Sequence, residues 1–257
     1  MTFIIAEAGV NHNGSYIRAC ELLEAAKECG ADAVKFQLFN SQELWGDDRI
    51  KHLELSERAI RHIHAGCKRV GIEFMCTPFS VEAVEFLTPL VKRHKIASGC
   101  RKPEILEAVA KSGLPVIVSM GMADKSDLMA LIHKCSGVKP FVFLHCTSSY
   151  PCELEHVNLS VIKKWLTVYA PEYVQIGFSD HTQGIIASIA AVAMGATVIE
   201  KHLTLDKTAE GPDHKSSIEP NEFKTMVEAI REVEVMLGDG VKRVLPCEEK
   251  LRELWYD

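Results

Sequence analysis

The chain alternates short β-type runs with longer helix-type stretches, and it does so eight times. Runs with strand character occur at residues 3–6, 32–38, 72–76, 94–97, 115–119, 141–145, 173–178 and 197–201. Between them lie stretches with apolar residues at helical intervals, such as SYIRACELLEAAKECG, whose closing Gly30 suits a left-handed C-terminal cap. The return from helix to strand repeats as a glycine and a short loop, at ECGAD, KRVGIE, KSGLP and AMGAT. Eight such units in 257 residues match an α/β fold of the (β/α)8 TIM-barrel type. A doubly wound sheet uses fewer strands and a phosphate-binding glycine fingerprint, and neither GxGxxG nor a Walker sequence occurs here. The reading assigns residues 1–240 to one barrel domain and 241–257 to a polar C-terminal extension.

Composition narrows the class. With 47% hydrophobic residues the chain can bury a substantial core. The net charge is −6 and the basic residues are scattered, which argues against a nucleic-acid or anionic-membrane partner. The longest nearly apolar stretch, 184–199, is too short for a membrane span and reads as a buried helix. MTFIIAEAG lacks the basic start and the length of a signal peptide. Nine cysteines (20, 29, 67, 76, 100, 135, 146, 152, 247) without a CxxC pair indicate reduced thiols in a cytoplasmic protein, not a disulfide framework or thiolate zinc site.

In a barrel of this kind the chemistry sits at the C-terminal ends of the strands. Polar residues collect at all eight: Glu7 with NHNG, which includes Asn11; Lys35 and Gln37; Thr77; Lys95 and Ser98; Ser119; His145 with CTSSYP, which includes Ser148 and Tyr150; Ser179 to Thr182; and Glu200 to His202. His181 and His202 end neighbouring strands, about 4.8 Å apart, and either converge on one cation such as manganese, iron, cobalt or zinc, or serve as hydrogen-bonded structural histidines. Asp213 and His214 on the following loop could complete a metal shell.

Lys35, Lys95 and Lys201 lie in apolar strand contexts, where an unpaired ammonium is expensive to bury. They point to an anionic ligand with Thr77, Ser98, Ser148 and Ser179 as donors, to ion pairing with Glu7, Glu73 and Glu200, or to a Schiff-base lysine.

The motifs FIIAEAGVNHNG, GADAVKFQ, CTPFS, KIASG, PVIVSMGMA, LHCTSSYP, IGFSDHT, GATVIEKHLTLD and GPDHKSSIEP run in order from residue 3 to about 220. Together they resemble the sialic acid synthase family, which condenses phosphoenolpyruvate with N-acetylmannosamine or a related aldose. The resemblance implies a divalent metal held by His181 and His202, Mn2+ first, with Mg2+, Co2+ or Fe2+ as alternatives. It places the phosphate of phosphoenolpyruvate on Ser179, Lys95, Ser98, Thr77 and Tyr150, and the carboxylate on Lys35. Glu7 and Asp213 fall near the reacting sugar carbons and the metal-bound water. Glu7, Lys35, Lys95 and Asp213 are then the expected catalytic residues, with Gln37, Asn11 and Ser148 completing the substrate-binding set. Asp180 and Thr182 are expected to support the site or cap a helix, since Thr182 precedes a helical run.

Three departures from the family pattern stand out. Cys100 occupies the position after Ser98-Gly99 where the family carries a glutamate near the reacting centre, and Arg101 and Lys102 follow it, which hints at a more anionic sugar. The family usually continues into a small antifreeze-like domain that contacts the acylamino group, whereas this sequence ends at Asp257. The short hairpin that usually precedes FIIAE is missing. The reading is therefore a metal-dependent synthase of a 3-deoxy-ulosonic or nonulosonic acid, open to homo-oligomerisation. The alternatives are a Schiff-base pyruvate aldolase using Lys95 or Lys201, and a non-catalytic protein that binds phosphoenolpyruvate and metal.

Overall fold

The computed structural model describes residues 1–134, 140–169 and 174–256; Cys135 and Tyr173 lie outside the described residues. The elements are β1 (Phe3–Gly9), α1 (Tyr16–Glu28), β2 (Ala33–Leu38), α2 (Ser41–Trp45), α3 (Glu57–Val70), β3 (Glu73–Pro78), α4 (Val81–Leu87), β4 (His94–Ile96), α5 (Pro103–Ser112), β5 (Val116–Ser119), α6 (Lys125–Lys134), β6 (Phe141–His145), α7 (Ser160–Tyr169), β7 (Val174–Asp180), α8 (Ile186–Ala193), β8 (Val198–His202), α9 (Pro220–Leu237) and α10 (Glu249–Tyr256). The strands form one parallel sheet in the order β3-β2-β1-β8-β7-β6-β5-β4. β3 and β4 pack side by side without a hydrogen-bonded ladder and bring the sheet round into a nearly closed (β/α)8 barrel.

Strand alternation explains both the core and the site. Ile5, Ala33, Met75, Ile117, Val142, Leu144 and Val198 fill the barrel interior, while the outward residues pack against the helices in a larger core. Two residues further along the same strands the inward positions become polar: Ile5 gives way to Glu7, Ala33 to Lys35, Met75 to Thr77, Ile117 to Ser119 and Val198 to Glu200. The barrel is thus plugged with hydrocarbon below and open to chemistry above. Gly177 makes room for this stacking, because a Cβ there would meet the Val198 carbonyl oxygen at 2.4 Å and Leu144 at 2.6 Å.

Serine caps and a left-handed glycine mark helix ends. Ser15, Ser56 and Ser80 cap α1, α3 and α4, each accepting a hydrogen bond from a backbone N–H in the first turn. Gly30 has φ +80°, just beyond the end of α1. Four strands differ from the sequence reading by reaching further at their C-terminal ends: β1 to Gly9, β3 to Pro78, β7 to Asp180 and β8 to His202. The polar residues there are part of the ladder, since Ser179 pairs with Glu200 and Glu7 with His202 in register. After α9 the chain continues through exposed coil to α10, whose Leu251, Leu254 and Trp255 face solvent. Among the described residues no helix is long and apolar enough to cross a membrane, and the cysteines are free thiols.

Candidate active site

A cavity of about 390 Å³ opens at the C-terminal mouth of the barrel, a size suited to small metabolites. Its floor is an ion-pair network built from adjacent strands. Lys35 Nζ lies 2.8 Å from Glu7 Oε2 and 3.6 Å from Glu200 Oε2, and it donates to Thr77 Oγ1 at 3.1 Å. Lys95 Nζ lies 3.4 Å from Glu200 Oε1 and donates to Ser119 Oγ at 2.8 Å. Ser179 Oγ also donates to Glu200 Oε1, at 3.1 Å, and Gln37 Nε2 donates to Glu7 Oε1 at 3.1 Å. Glu200 is therefore the hub of the network. The sequence reading had counted it among the strand-end polar residues and as a lysine partner, without a place in the substrate or metal set.

Burial and charge push these groups apart. Burial raises Glu200, but Lys35 and Lys95 outweigh that and hold it well below the usual carboxylate range. Burial raises Glu7, with Glu200 adding to the rise and Lys35 opposing it. Burial also pushes Asp213 up to about 6. Burial lowers Lys95, with Glu200 opposing, whereas for Lys35 burial is overcome by Glu200 and Glu7, which raise it. The site thus holds one firmly ionised carboxylate next to two that take up protons more readily.

A recess lined by hydroxyls and a thiol sits beside Lys95. Ser98 Oγ accepts from Gly121 N at 3.0 Å, Cys146 Sγ accepts from the same N–H at 3.1 Å, and the buried Ser148 Oγ has no partner. A Cβ on Gly121 would meet Ser148 Oγ at 2.2 Å and Ser98 Oγ at 2.7 Å, so only glycine leaves this space open. The sequence reading did not single out Gly121 or Cys146.

His181 and His202 come together on the opposite side, with ring centroids 5.6 Å apart. The Tyr150 ring stacks 4.1 Å from His181 and 5.8 Å from His202. His181 Nδ1 lies 2.7 Å from the Thr147 carbonyl, which can only accept, so Nδ1 carries the hydrogen and Nε2 keeps its lone pair. His202 Nδ1 is buried without a hydrogen-bond partner, and Asp213 Oδ2 is 3.5 Å away. Burial lowers both histidines, with His181 adding to the effect on His202, which keeps them neutral as ligation requires. These donors fit a cation held by two imidazoles, with water or substrate oxygens making up the shell. Among the described residues no group of three His, Cys, Asp or Glu is arranged to hold a metal by protein atoms alone.

Several expected site residues lie elsewhere. Asn11 does not line the cavity; its Nδ2 donates to the Leu203 carbonyl at 2.9 Å and to Ser217 Oγ at 2.8 Å, tying the β1 loop to the loop that carries Asp213. Lys201 is completely buried on the outer face of β8, because strand alternation turns it away from Glu200 and His202. It pairs with Asp180 Oδ2 at 3.1 Å and donates to the Thr182 carbonyl at 2.5 Å, so it cannot supply a Schiff base in this cavity. Thr182 does not cap α8, which begins at Ile186; its hydroxyl donates to Asp180 Oδ1 at 2.7 Å. Glu73 pairs with Arg93, not with a lysine.

Cys100 does not take the place of a carboxylate in the cavity. A turn closed by its N–H on the Ala97 carbonyl, at 3.0 Å, carries the side chain inward, and Sγ donates to the Pro78 carbonyl at 3.4 Å. Gly99 lines the cavity and Cys100 does not. The sequence reading also missed the stretch after β2, which brings Leu44, Trp45, Arg49, Ile50 and Leu53 to the rim. Its apolar residues follow neither a strand nor a long helix period, so pattern alone left them unplaced.

The barrel and this mouth define a class: a (β/α)8 enzyme scaffold whose mouth brings two buried lysines and two neutral imidazoles into one cavity. The chain belongs to the NeuB family, which it matches over residues 22–242. It is 42% identical to the N,N'-diacetyllegionaminic acid synthase of Legionella pneumophila, over 98% of this chain and 78% of that one. It is 39% identical to the human N-acetylneuraminate-9-phosphate synthase, over 98% of this chain and 75% of that one. A crystal structure of the N-acetylneuraminic acid synthetase of Leptospira borgpetersenii in complex with citrate is 36% identical and superposes with a TM-score of 0.92, covering 98% of this chain and 90% of that one.

Proposed function

We propose that this chain is a synthase that condenses phosphoenolpyruvate with an open-chain aldose to give a 3-deoxy-2-ketoacid of the nonulosonic type and inorganic phosphate, with a divalent cation, Mn2+ first, held by His181 and His202. The observation that carries the reading is the juxtaposition, within one cavity, of Lys35 and Lys95 around Glu200 with two neutral imidazoles beside them. The named relatives, which make sialic, legionaminic or related acids, support the same direction.

In this reading the phosphate sits in the cradle formed by Lys95, Ser98, Ser148 and Ser179, with the Gly121 N–H holding Ser98 Oγ in place, and these donors stabilise it as it departs. Lys35 and Thr77 hold the carboxylate and fix the enol face. Tyr150 walls the cavity beside both imidazoles. His181 and His202 would hold a divalent cation, which when bound would supply Lewis acidity toward a carbonyl oxygen. Carbon three of the enol attacks the aldehyde carbon, positive character develops at carbon two, and water captures it before the carbon–oxygen bond to phosphate breaks. Asp213 and Glu7, both raised by burial, are suited to pass protons at the new hydroxyl and the attacking water. The ionised Glu200 keeps Lys35 and Lys95 charged and stabilises positive character nearby.

The test is phosphate release from phosphoenolpyruvate with a panel of aldoses, with Mn2+ and with chelator. Release that needs both an aldose and a divalent cation, and that falls on His202→Ala, supports the reading. A covalent adduct trapped by borohydride with pyruvate on Lys95 would replace it with a Schiff-base aldolase.

A further inference from the structure

We propose that the sugar accepted here is uncharged at the end remote from its aldehyde and carries an apolar group there, such as a deoxy methyl, in place of a phosphate. The inference rests on the condensation reading above and concerns the outer half of the same cavity.

The aldehyde carbon must reach the enol held at Lys35, so the remainder of an open-chain sugar runs toward the rim. That rim is an apolar wall of Phe39, Leu44, Trp45, Ile50, Leu53 and Phe79. Phe39 and Phe79 meet edge to face at 6.0 Å, and Leu53 and Phe39 pack with Val10 into a small core of their own. The wall is held in place by Ser41, a completely buried polar residue. Its N–H donates to Glu54 Oε1 at 2.6 Å, its hydroxyl donates to the Asp47 carbonyl at 2.6 Å, and it accepts from Ile50 N at 3.3 Å. The surface is therefore formed in advance of any ligand.

Charge points the same way. Among the described residues the cations lining the cavity are Lys35, Lys95 and Arg49. Lys35 and Lys95 face Glu7 and Glu200 on the floor, where phosphoenolpyruvate already brings its own phosphate and carboxylate. Arg49 is held by Asp47, with Nε 2.9 Å from both carboxylate oxygens and Nη2 2.6 Å from Oδ2, and its guanidinium lies 5.5 Å from the Trp45 ring centroid. Arg101 and Lys102 do not line the cavity, and Arg101 donates instead to the Ser98 and Gly121 carbonyls at 3.2 and 3.1 Å. A second phosphate at the rim would meet hydrocarbon and a guanidinium that already has a carboxylate, and would lose hydration without replacement. Of the three relatives named above, the human synthase carries a phosphate in its product name and the other two do not. The rim of this chain suits the unphosphorylated kind.

The experiment measures kcat/KM for phosphate release with N-acetylmannosamine, its 6-deoxy analogue and its 6-phosphate, at fixed phosphoenolpyruvate and Mn2+. The expected order is 6-deoxy first and 6-phosphate last, with about tenfold or more between those two, as for a group matched or mismatched to an apolar pocket. Trp45→Ala should lower the 6-deoxy value by about tenfold relative to the parent sugar, and Leu44→Arg should raise the 6-phosphate value. A 6-phosphate preferred over both neutral sugars overturns the inference, and its loss in Arg49→Ala would identify the guanidinium as the group responsible. No release with any of the three sugars but release with another aldose overturns the inference alone, and no release with any aldose overturns the condensation reading as well.

Discussion

Lys201→Met is the sharpest perturbation of this barrel, because it separates stability from chemistry. The Lys201 and Asp180 side chains are both completely buried and 3.1 Å apart. Removing one member of such a pair costs about 3–5 kcal/mol, chiefly because the other charge is left without compensation. The two halves are not equally supported. Without Lys201, Asp180 still accepts from Thr182 N at 2.8 Å, Thr182 Oγ1 at 2.7 Å and Ser188 Oγ at 2.6 Å, so the loss should fall near the lower bound. Without Asp180, Lys201 keeps only the Thr182 carbonyl, so Asp180→Ala should fall near the upper bound. At roughly 2–4 °C per kcal/mol for a domain of this size, Lys201→Met should lower Tm by about 6–12 °C and Asp180→Ala by more. Urea titration with matched m-values gives the free energies directly. Because Lys201 faces the helices, Lys201→Met assayed well below its Tm should keep phosphate release within a few-fold of the native chain, whereas Lys95→Met should lose it. A folded Lys201→Met protein without activity, or one as stable as the native chain, would refute the reasoning.

Three further outcomes follow from particular contacts. Gly121→Ala places a Cβ 2.2 Å from Ser148 Oγ and 2.7 Å from Ser98 Oγ, in the proposed phosphate cradle. Losing one or two charge-assisted bonds of about 1.5–3 kcal/mol each should raise KM for phosphoenolpyruvate about tenfold or more, with Tm little changed; an unchanged KM would place the phosphate elsewhere. Burial pushes His94 down to about 4 from 6.5, so as pH falls through this window the unfolded chain takes up a proton that the folded one refuses, and the stability of the folded state drops. Between pH 7 and pH 5 the native chain should lose about 2 kcal/mol more than His94→Gln in urea titrations; equal losses would contradict a buried neutral ring. Burial pushes the Cys100 thiol up to about 11, so at pH 8 a thiol reagent should modify the exposed Cys247 and leave Cys100 intact, as read by peptide mass spectrometry. Comparable labelling would mean that the 98–101 turn opens readily.

Much of this architecture is legible in the sequence because two periods are written into it. The eightfold alternation of strand and helix gives the barrel, and within the strands a period of two gives the depth of each residue. Ile5 before Glu7, Ala33 before Lys35, Met75 before Thr77 and Val198 before Glu200 follow one pattern, an apolar plug with a polar layer above it. The period of two also assigns Lys201 to the outer face, one step from Glu200, and a count of three lysines at the mouth overlooks it. Asn11 follows the same logic from the other side. It sits next to a motif rich in polar residues, yet its side chain is spent on Leu203 and Ser217, because a loop that crosses the barrel mouth must satisfy its own buried polar groups.

What the sequence does not display is any feature set by the meeting of distant loops. Gly121, Ser98, Cys146 and Ser148 come from the ends of β4, β5 and β6, and only their convergence makes a cradle. The apolar rim is a second case, because residues 39–53 fold around Ser41 through contacts that no period encodes. In the proposed reading the inner layer therefore carries what members of a family can share, the grip on one common anion. The rim, free of the barrel's period and exposed at Trp45 by 57%, is where one chain can come to differ from another in the sugar it accepts. That division gives the acceptor series its force. If rim substitutions at Trp45 or Leu44 change the choice of sugar while KM for phosphoenolpyruvate stays constant, depth in the barrel separates the shared chemistry from the selective contact; if both change together, the two layers act as one.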